Sequence, residues 1–315
     1  MQNERAEAVL EEVKKAVVGK DECLKQVMMA FLSRGHVLIE DIPGVGKTTM
    51  ALAFSKACRM EQRRVQFTPD VLPADITGFS IYRKETERFV YQPGAVMCNL
   101  FLADEINRTS PKTQSALLEV MEEGTVTVDG VTRQVPRPFC VIATQNPVGS
   151  AGTQLLPESQ LDRFMICISM GYPDIYQEIS ILKDRSNGNP IDQILPVAGP
   201  KELLMMQGEV EQVFIHDAVY DYIARLVKAT REHDMLELGV SPRGTLAIAR
   251  MAKACAYLNR RDYVTPADVE AVFLPVATHR IRVSSRARVS RISPTEILTE
   301  ILNQVVKPTP KRKGL

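Results

Sequence analysis

HVLIEDIPGVGKTTMALAF, residues 36–54, is the stretch that decides the fold. Its apolar start, His36–Glu40, predicts a short strand, and the residues from Lys47 onward predict a helix. The turn between them contains Gly44 and Gly46. Glycines let the backbone curl so that successive N–H groups face one anion, and the helix N-terminus adds partial positive charge. The stretch therefore predicts a phosphate-binding loop.

The polar residues of this loop fit ATP and Mg²⁺. A lysine at position 47 reaches the outer phosphates, and the hydroxyl of Thr48 can bind Mg²⁺. The usual pattern G-x-x-x-x-G-K-[ST] has glycine where this chain has Asp41. An ordinary glycine-containing turn is the alternative interpretation, but the strand–turn–helix context favours a phosphate loop. The predicted nucleotide contacts here are Pro43, Gly44, Val45, Gly46, Lys47, Thr48 and Thr49.

Composition restricts the classes of function. The chain has 315 residues, 45% of them hydrophobic and 24% charged, with net charge +1, so no overall basic field favours nucleic acid. No apolar run reaches the roughly 18 residues that a membrane span needs. The N-terminus is predicted to be an amphipathic charged helix and not a signal peptide. Six scattered cysteines without C-x-x-C spacing indicate buried thiols in a reducing cytoplasm.

The hydrophobic patterns divide the chain into two domains and a tail. Residues 1–170 alternate strands with helices, which predicts an α/β core with a parallel sheet. Its strands are expected at 36–40, 64–68, within 99–108, within 138–147 and in MICISM, with a hairpin in TVTVDGVTRQV and a hairpin or loop in IYRKETERFVYQPG. Residues 171–306 have helical spacing only and predict an all-helical domain, and the basic segment 307–315 predicts a flexible tail.

Four further side-chain groups are candidates for chemistry. Asp104 and Glu105 follow the strand LFLA, and Asn146 ends the strand of VIATQNP. Because parallel strands place their carboxyl ends at one ligand-binding edge, Asp104 is predicted to hold Mg²⁺, Glu105 to polarise water and Asn146 to contact the γ-phosphate or the water. Arg163 of LDRF and Arg243 of SPRG can stabilise transition-state charge. Either arginine can instead be a structural ion-pair partner.

The order of these motifs resembles that of the AAA+ ATPases, and within them the MoxR group. The resemblance covers residues 5–306 and is carried by LFLADEINR, LLEVMEEG, IATQNP and LPESQLDRF. It implies that Lys47, Thr48, Asp104 and Glu105 are Walker A and B residues. It also implies that Asn146 is sensor 1, Arg163 a trans-acting arginine finger and Arg243 sensor 2, with Val18 and Gly19 at the adenine pocket.

The resemblance also implies how the protein assembles and acts. MoxR-type proteins are chaperone-like ATPases that form homo-oligomeric, hexameric rings, mature protein complexes and act with partners that contain a von Willebrand A domain. A lid of helices carrying Arg243 is then expected to close over the core carrying Lys47, and lid and subunit motion is the output. Three alternatives remain open: an ATPase subunit of a magnesium or other metal chelatase, a nucleic-acid motor and a nucleotide switch that does not hydrolyse.

Overall fold

A computed structural model describes residues 3–42, 44–146, 156–186 and 188–309. The predicted nucleotide contact Pro43 and most of the predicted tail, 310–315, lie outside the described residues.

The N-terminal part forms an α/β core, as the sequence predicts. Its first half contains α1 (Asn3–Lys14), α2 (Asp21–Leu32), β1 (Val37–Glu40), α3 (Lys47–Ala57), β2 (Gln62–Gln66), α4 (Pro73–Thr77), β3 (Gly78–Arg83), β4 (Arg88–Pro93) and β5 (Leu100–Asp104). Its second half contains α5 (Pro111–Glu123), β6 (Thr125–Val128), β7 (Val131–Gln134), β8 (Cys140–Gln145), α6 (Glu158–Leu161) and β9 (Ile166–Ile168).

Five strands form the central sheet in the order β2-β5-β8-β1-β9. Every pairing in it is parallel. Because side chains alternate along a strand, the sheet buries both faces. Val37, Ile39 and Leu102 join one apolar cluster with α1–α3, whereas Leu38 and Phe101 join a second cluster on the opposite face. The parallel strands align their carboxyl ends, so the segments that follow β1, β5 and β8 meet at one edge.

Two antiparallel hairpins extend from the core. β6 and β7 are joined by Asp129 and Gly130, which both have positive φ. The Asp-Gly signal predicts this hairpin. The open choice between hairpin and loop for IYRKETERFVYQPG resolves to the hairpin β3–β4. Tyr82 and Phe89 pack edge-to-face near its tip and are 53% and 74% exposed.

The C-terminal part is helical, with one addition. It contains α7 (Ile175–Ser186), α8 (Pro200–Glu211), α9 (Asp217–Glu232), β10 (Leu236–Leu238), α10 (Pro242–Leu258), α11 (Pro266–Ala277), β11 (Arg282–Val283), α12 (Ser285–Val289) and α13 (Pro294–Gln304). The prediction of helices alone after residue 170 misses the antiparallel pair β10–β11. This pair is too short to show an alternating pattern in the sequence.

The sheet and the C-terminal helices share one apolar core. The cluster that contains Val37 and Leu102 continues without interruption to Met206 on α8, Ile248 on α10 and Phe273 on α11. The expected boundary near residue 170 therefore separates two parts of the chain that pack on each other.

Two findings concern the surface and the thiols. Within the described ranges, no helix is both long and apolar enough to cross a membrane. All six cysteines are unpaired, and five of them are buried, as predicted; Cys167 is partly buried.

Candidate functional site

The phosphate loop of the structure is left-handed at both of its glycines. Gly44 has φ 88° and Gly46 has φ 96°, a conformation that residues with a Cβ rarely adopt. Gly46 directly precedes α3, whose first residues are Lys47 and Thr48. An added Cβ at Gly44 would meet no atom of the described residues within 4 Å. The loop therefore presents backbone and a helix N-terminus to open space, which fits a bound phosphate chain.

Lys47 is held at the bottom of this loop. Its side chain is largely buried, and Nζ donates a hydrogen bond of 2.8 Å to the backbone oxygen of Asp41. Burial lowers the pKa of Lys47, and the negative charges of Asp41, Asp104 and Glu105 oppose that shift. The ammonium group thus lies near three carboxylates. A bound phosphate would accept a further hydrogen bond from it.

A cavity of about 390 Å³ joins the phosphate loop to the ends of β5 and β8. It brings together most of the residues that the sequence analysis grouped. The lining residues are Gly44, Gly46, Lys47, Thr48, Thr49, Arg64, Gln66, Asp104, Glu105 and Asn146.

The acidic pair is organised by a buried threonine that the sequence analysis did not identify. Thr144 on β8 donates to Oδ1 of Asp104 at 2.6 Å, and its hydroxyl accepts from the backbone N–H of Glu105 at 2.8 Å. Arg64 on β2 donates to Oδ2 of Asp104 at 2.7 Å. Both oxygens of Asp104 therefore have fixed partners. The sequence feature that could have indicated Thr144 is its position at the carboxyl end of β8, two residues before Asn146.

Glu105 is held in a strained but well-bonded position. Its φ is 57°, in the left-handed region, which strains a non-glycine residue and persists only where its surroundings hold it. Asn146 Nδ2 donates to Oε1 at 3.0 Å, and Arg108 Nη1 donates to Oε2 at 2.8 Å. Burial raises the pKa of Glu105, but the bonds from Arg108 and Asn146 outweigh it and the net pKa lies below the ordinary value. Glu105 is therefore ionised at neutral pH.

The donor set fits Mg²⁺ with a phosphate ligand. Thr48 and Asp104 offer oxygen atoms, which Mg²⁺ prefers, and they line the same cavity. Across the ranges that the structure describes, no three His, Cys, Asp or Glu residues cluster as a metal site. Mg²⁺ commonly takes one or two protein ligands and completes its shell with substrate phosphates and water. The residues present suit that mode.

A second cavity, of about 190 Å³, continues on the other side of the phosphate loop. Val18, Val45 and Thr49 line it, with Pro173 from the chain that leads into α7 and Ile181 from α7 itself. Gly19 does not line the cavity. Its oxygen accepts from Gln177 Nε2 at 3.3 Å, and an added Cβ would lie 2.2 Å from that side chain. The lining is mainly apolar, which suits the faces of a nucleotide base.

Arg163 and Arg243 lie away from both cavities. Arg163 Nε is 3.1 Å from Oε2 of Glu122 on α5, and Arg243 pairs with the other oxygen of the same carboxylate. Both arginines line a third cavity, which includes His36 and Met165. These two residues precede β1 and β9, so the cavity lies at the amino ends of the strands. The phosphate loop follows the carboxyl end of β1.

The expectation that helices carrying Arg243 close over the core carrying Lys47 stays a prediction, and in this structure Arg243 lies away from Lys47 of its own chain. Arg163 and Arg243 lie together at the amino ends of the strands. The acidic pair lies at the carboxyl ends, at the opposite end of the sheet. Sequence reasoning also missed their shared partner Glu122, because a single carboxylate within LLEVMEEG gives no sign of its contacts.

Comparisons with known proteins agree on one family. Residues 36–166 match the model described as "ATPase family associated with various cellular activities (AAA)", and residues 228–301 match "AAA lid domain". The Mycobacterium tuberculosis protein named Chaperone MoxR1 is 40% identical over 96% of this chain and 82% of its own length. A Bacillus subtilis relative named YeaC, described as uncharacterized, is 46% identical over 95% of this chain and 93% of its own.

A solved structure and a more distant relative complete the comparison. A crystal structure of a candidate ATPase from Cytophaga hutchinsonii has a TM-score of 0.91 and 36% identity, and covers 98% of this chain and 96% of its own. A magnesium-chelatase subunit homologue from Methanocaldococcus jannaschii is 27% identical over only 58% of this chain and 50% of its own length.

Proposed function

Because this chain belongs to the MoxR family of AAA+ ATPases, we propose that it hydrolyses ATP and uses the energy to remodel or mature protein complexes. The observation that carries the hydrolysis is the cavity shared by Lys47, Asp104, Glu105 and Asn146. A phosphate-binding loop alone supports binding. An ionised carboxylate in the same cavity supports attack by water, because it can accept a hydrogen bond and then a proton from that water.

The proposed reaction follows from the roles of these groups. The loop and Lys47 hold the phosphates, and Glu105 accepts a proton from the water that attacks the γ-phosphorus. Asn146, bonded to Glu105, orients that carboxylate toward the water. Mg²⁺, when bound by Thr48 and Asp104, neutralises phosphate charge. The bond between the γ-phosphorus and the β,γ-bridging oxygen breaks, and ADP and phosphate leave.

We further propose that Arg163 and Arg243 complete the site of a neighbouring subunit. They lie beyond the amino ends of the strands, and β1 alone spans about 13 Å at roughly 3.3 Å per residue. Neither side chain therefore reaches the phosphate loop of its own chain. A head-to-tail contact between copies brings one subunit's arginines to the next subunit's phosphates, and such contacts form a ring when the rotation between copies closes. The homo-oligomeric assembly is proposed from this geometry, and its hexameric size from the family alone.

We also propose a partner protein and a surface that contacts the client protein. A protein partner with a von Willebrand A domain is proposed from the family alone. The hairpin β3–β4 supports contact with a client, because Tyr82 and Phe89 expose large aromatic surfaces at its tip. Exposed aromatic groups on a projecting element are typical of protein-binding surfaces.

The alternatives receive less support. Similarity to a chelatase subunit covers little more than half of the chain, whereas similarity to Chaperone MoxR1 covers nearly all of it. A nucleic-acid motor would benefit from positive charge, yet the β6–β7 turn is Asp129-Gly130 and the net charge is +1.

Two variants test the proposed hydrolysis. Lys47→Ala should abolish ATP binding measured by titration calorimetry, because the main phosphate cation is lost. Glu105→Gln should bind ATP normally and lower phosphate release by about 10²-fold or more, since amides do not accept the proton. Glu85→Gln, in the β3–β4 turn, is the matched control and should behave as wild type. Normal turnover by Glu105→Gln would remove Glu105 from this role and refute the mechanism.

A further inference from the structure

Asp41 stands where the usual phosphate-loop pattern has glycine, and the contacts of its side chain explain this difference. The described residues with positive φ do not include Asp41, so its backbone does not require the glycine of the usual pattern. The residue is 6% exposed, and among the described residues no basic side chain is hydrogen-bonded to its carboxylate. A buried charge is retained only where hydrogen bonds compensate its desolvation.

Four hydrogen bonds supply that compensation. Oδ1 accepts from the backbone N–H of Ile42 at 2.9 Å. Oδ2 accepts from the backbone N–H groups of Met170 at 2.6 Å and Gly171 at 2.8 Å, and from the hydroxyl of Ser169 at 3.1 Å. Three of the four donors therefore come from one segment, residues 169–171, which is remote in sequence.

This segment connects the sheet to the wall of the base cavity. It follows β9, and the next residue, Tyr172, accepts from Lys20 Nζ at 3.0 Å through its backbone oxygen. Pro173 then lines the base cavity, as do Ile181 and Asp184 on α7. The position of this wall thus depends on where residues 169–171 are held.

The other polar groups of Asp41 face the phosphate side. Its N–H donates to the oxygen of Gln145 at the end of β8, and its backbone oxygen accepts from Lys47 Nζ. One residue therefore contacts the phosphate-binding lysine through its backbone and the base-side wall through its side chain.

From this arrangement we propose that Asp41 is a positioning residue that ties the base-side wall, residues 169–173 and α7, to the phosphate loop. The inference rests on the proposed ATP site. It adds a chain of contacts through which a change at the phosphates can shift the position of α7. A glycine at this position, although it restores the usual pattern, removes the tie. Restoring the pattern should therefore impair the protein.

The test compares ATP with inorganic tripolyphosphate, which has the phosphates but lacks the base. Asp41→Gly should weaken ATP binding about tenfold, because losing hydrogen bonds to a charged acceptor costs about one decade or more in affinity. Tripolyphosphate affinity should change less than about twofold, since the loop and Lys47 are intact. Ser169→Ala removes one donor of four and should weaken ATP binding less than Asp41→Gly does. It keeps the test available if Asp41→Gly folds poorly.

Hydrogen exchange supplies an independent readout on the protein without nucleotide. The amides of Met170 and Gly171 should exchange faster in Asp41→Gly than in wild type. Equal losses of ATP and tripolyphosphate affinity, or unchanged ATP affinity with unchanged exchange, would overturn the proposal. If wild type bound neither compound, the proposed function would fail, while the exchange result would still decide whether Asp41 ties the segment.

Discussion

His36, at the amino end of β1, is a buried and neutral histidine. Its Nδ1 accepts from the backbone N–H of Val141 at 3.1 Å, and Nε2 lies 3.0 Å from the backbone oxygen of Met121. The second contact requires the proton on Nε2, so the ring is in one neutral tautomer. Burial lowers the pKa of His36 to about 4, against the weaker effect of the bond to Met121. His279 is partly buried, and desolvation likewise lowers its pKa well below the ordinary value.

We predict that acid destabilises the protein before its carboxylates titrate. Between pH 6.5 and about 4 the unfolded chain binds a proton at His36 that the folded protein does not bind. Stability therefore falls as pH falls through this window, by about 1.4 kcal/mol per pH unit for one histidine. Urea unfolding at pH 7.5 and 5.5 measures the difference.

The variant for this prediction is His36→Gln. It should reduce the pH dependence of the urea midpoint, because the group that binds the extra proton in the unfolded chain is gone. Equal urea midpoints for the wild type at the two pH values would contradict the prediction.

At the scale of elements, Asp162 joins the end of α6 to the start of α10. Its Oδ1 accepts from the buried Arg280 at 2.8 Å, and its Oδ2 accepts from the hydroxyl of Ser241 at 2.8 Å. Ser241 also caps α10, accepting from the N–H of Gly244 at 3.1 Å. Arg163 follows Asp162, and Arg243 lies in the first turn of α10. The contact thus sets the two arginines side by side.

We predict that Ser241→Ala lowers ATP turnover by more than its loss of stability explains. The variant loses the helix cap, which costs about 1 kcal/mol of stability, and the bond to Asp162. Turnover should fall about fivefold, the equivalent of one hydrogen bond, with ATP affinity unchanged. Steady-state phosphate release and thermal unfolding measure the two effects.

Ser293→Ala is the matched control for the cap. Ser293 caps α13 by accepting from Glu296 N–H at 3.2 Å, and it does not line the cavity of the arginines. It should lose similar stability and keep full turnover. Equal turnover in the two variants would show that the contact between α6 and α10 has no part in catalysis.

At the scale of the whole molecule, the two halves of the proposed site lie on opposite ends of one subunit. Arg163→Ala and Lys47→Ala should each be inactive alone. Mixed in equal amounts, about a quarter of the interfaces of a head-to-tail ring combine an intact loop with an intact arginine. Phosphate release should therefore reappear on mixing.

A second mixture separates this rescue from a general effect of mixing. Lys47→Ala and Glu105→Gln damage the same half of the site, so their mixture should stay inactive. If the first mixture showed no recovery at any ratio, Arg163 would not act across an interface.

The sequence predicts the local features of this molecule better than its remote contacts. The phosphate loop and the Asp-Gly hairpin depend on neighbouring residues, and the structure has both. Arg64 reaches Asp104 only because β2 pairs with β5 in a register that the sequence does not show. The grouping of Arg163 with Arg243 depends on how α10 packs against the core, which no local pattern encodes. Asp41 was likewise unexplained until residues 169–171 were placed beside it.

The uninterrupted apolar core between the sheet and α8, α10 and α11 limits which parts of the subunit can move when a nucleotide binds. Opening that contact would expose much of the chain's apolar surface, so most of the subunit should behave as one stiff body that melts in a single transition. Helix α7 is the exception, because no described residue of it joins this core, and Ile175, Tyr176 and Leu182 are more than 70% exposed. The mechanical compliance of the subunit is therefore concentrated in α7, which also lines the proposed base cavity.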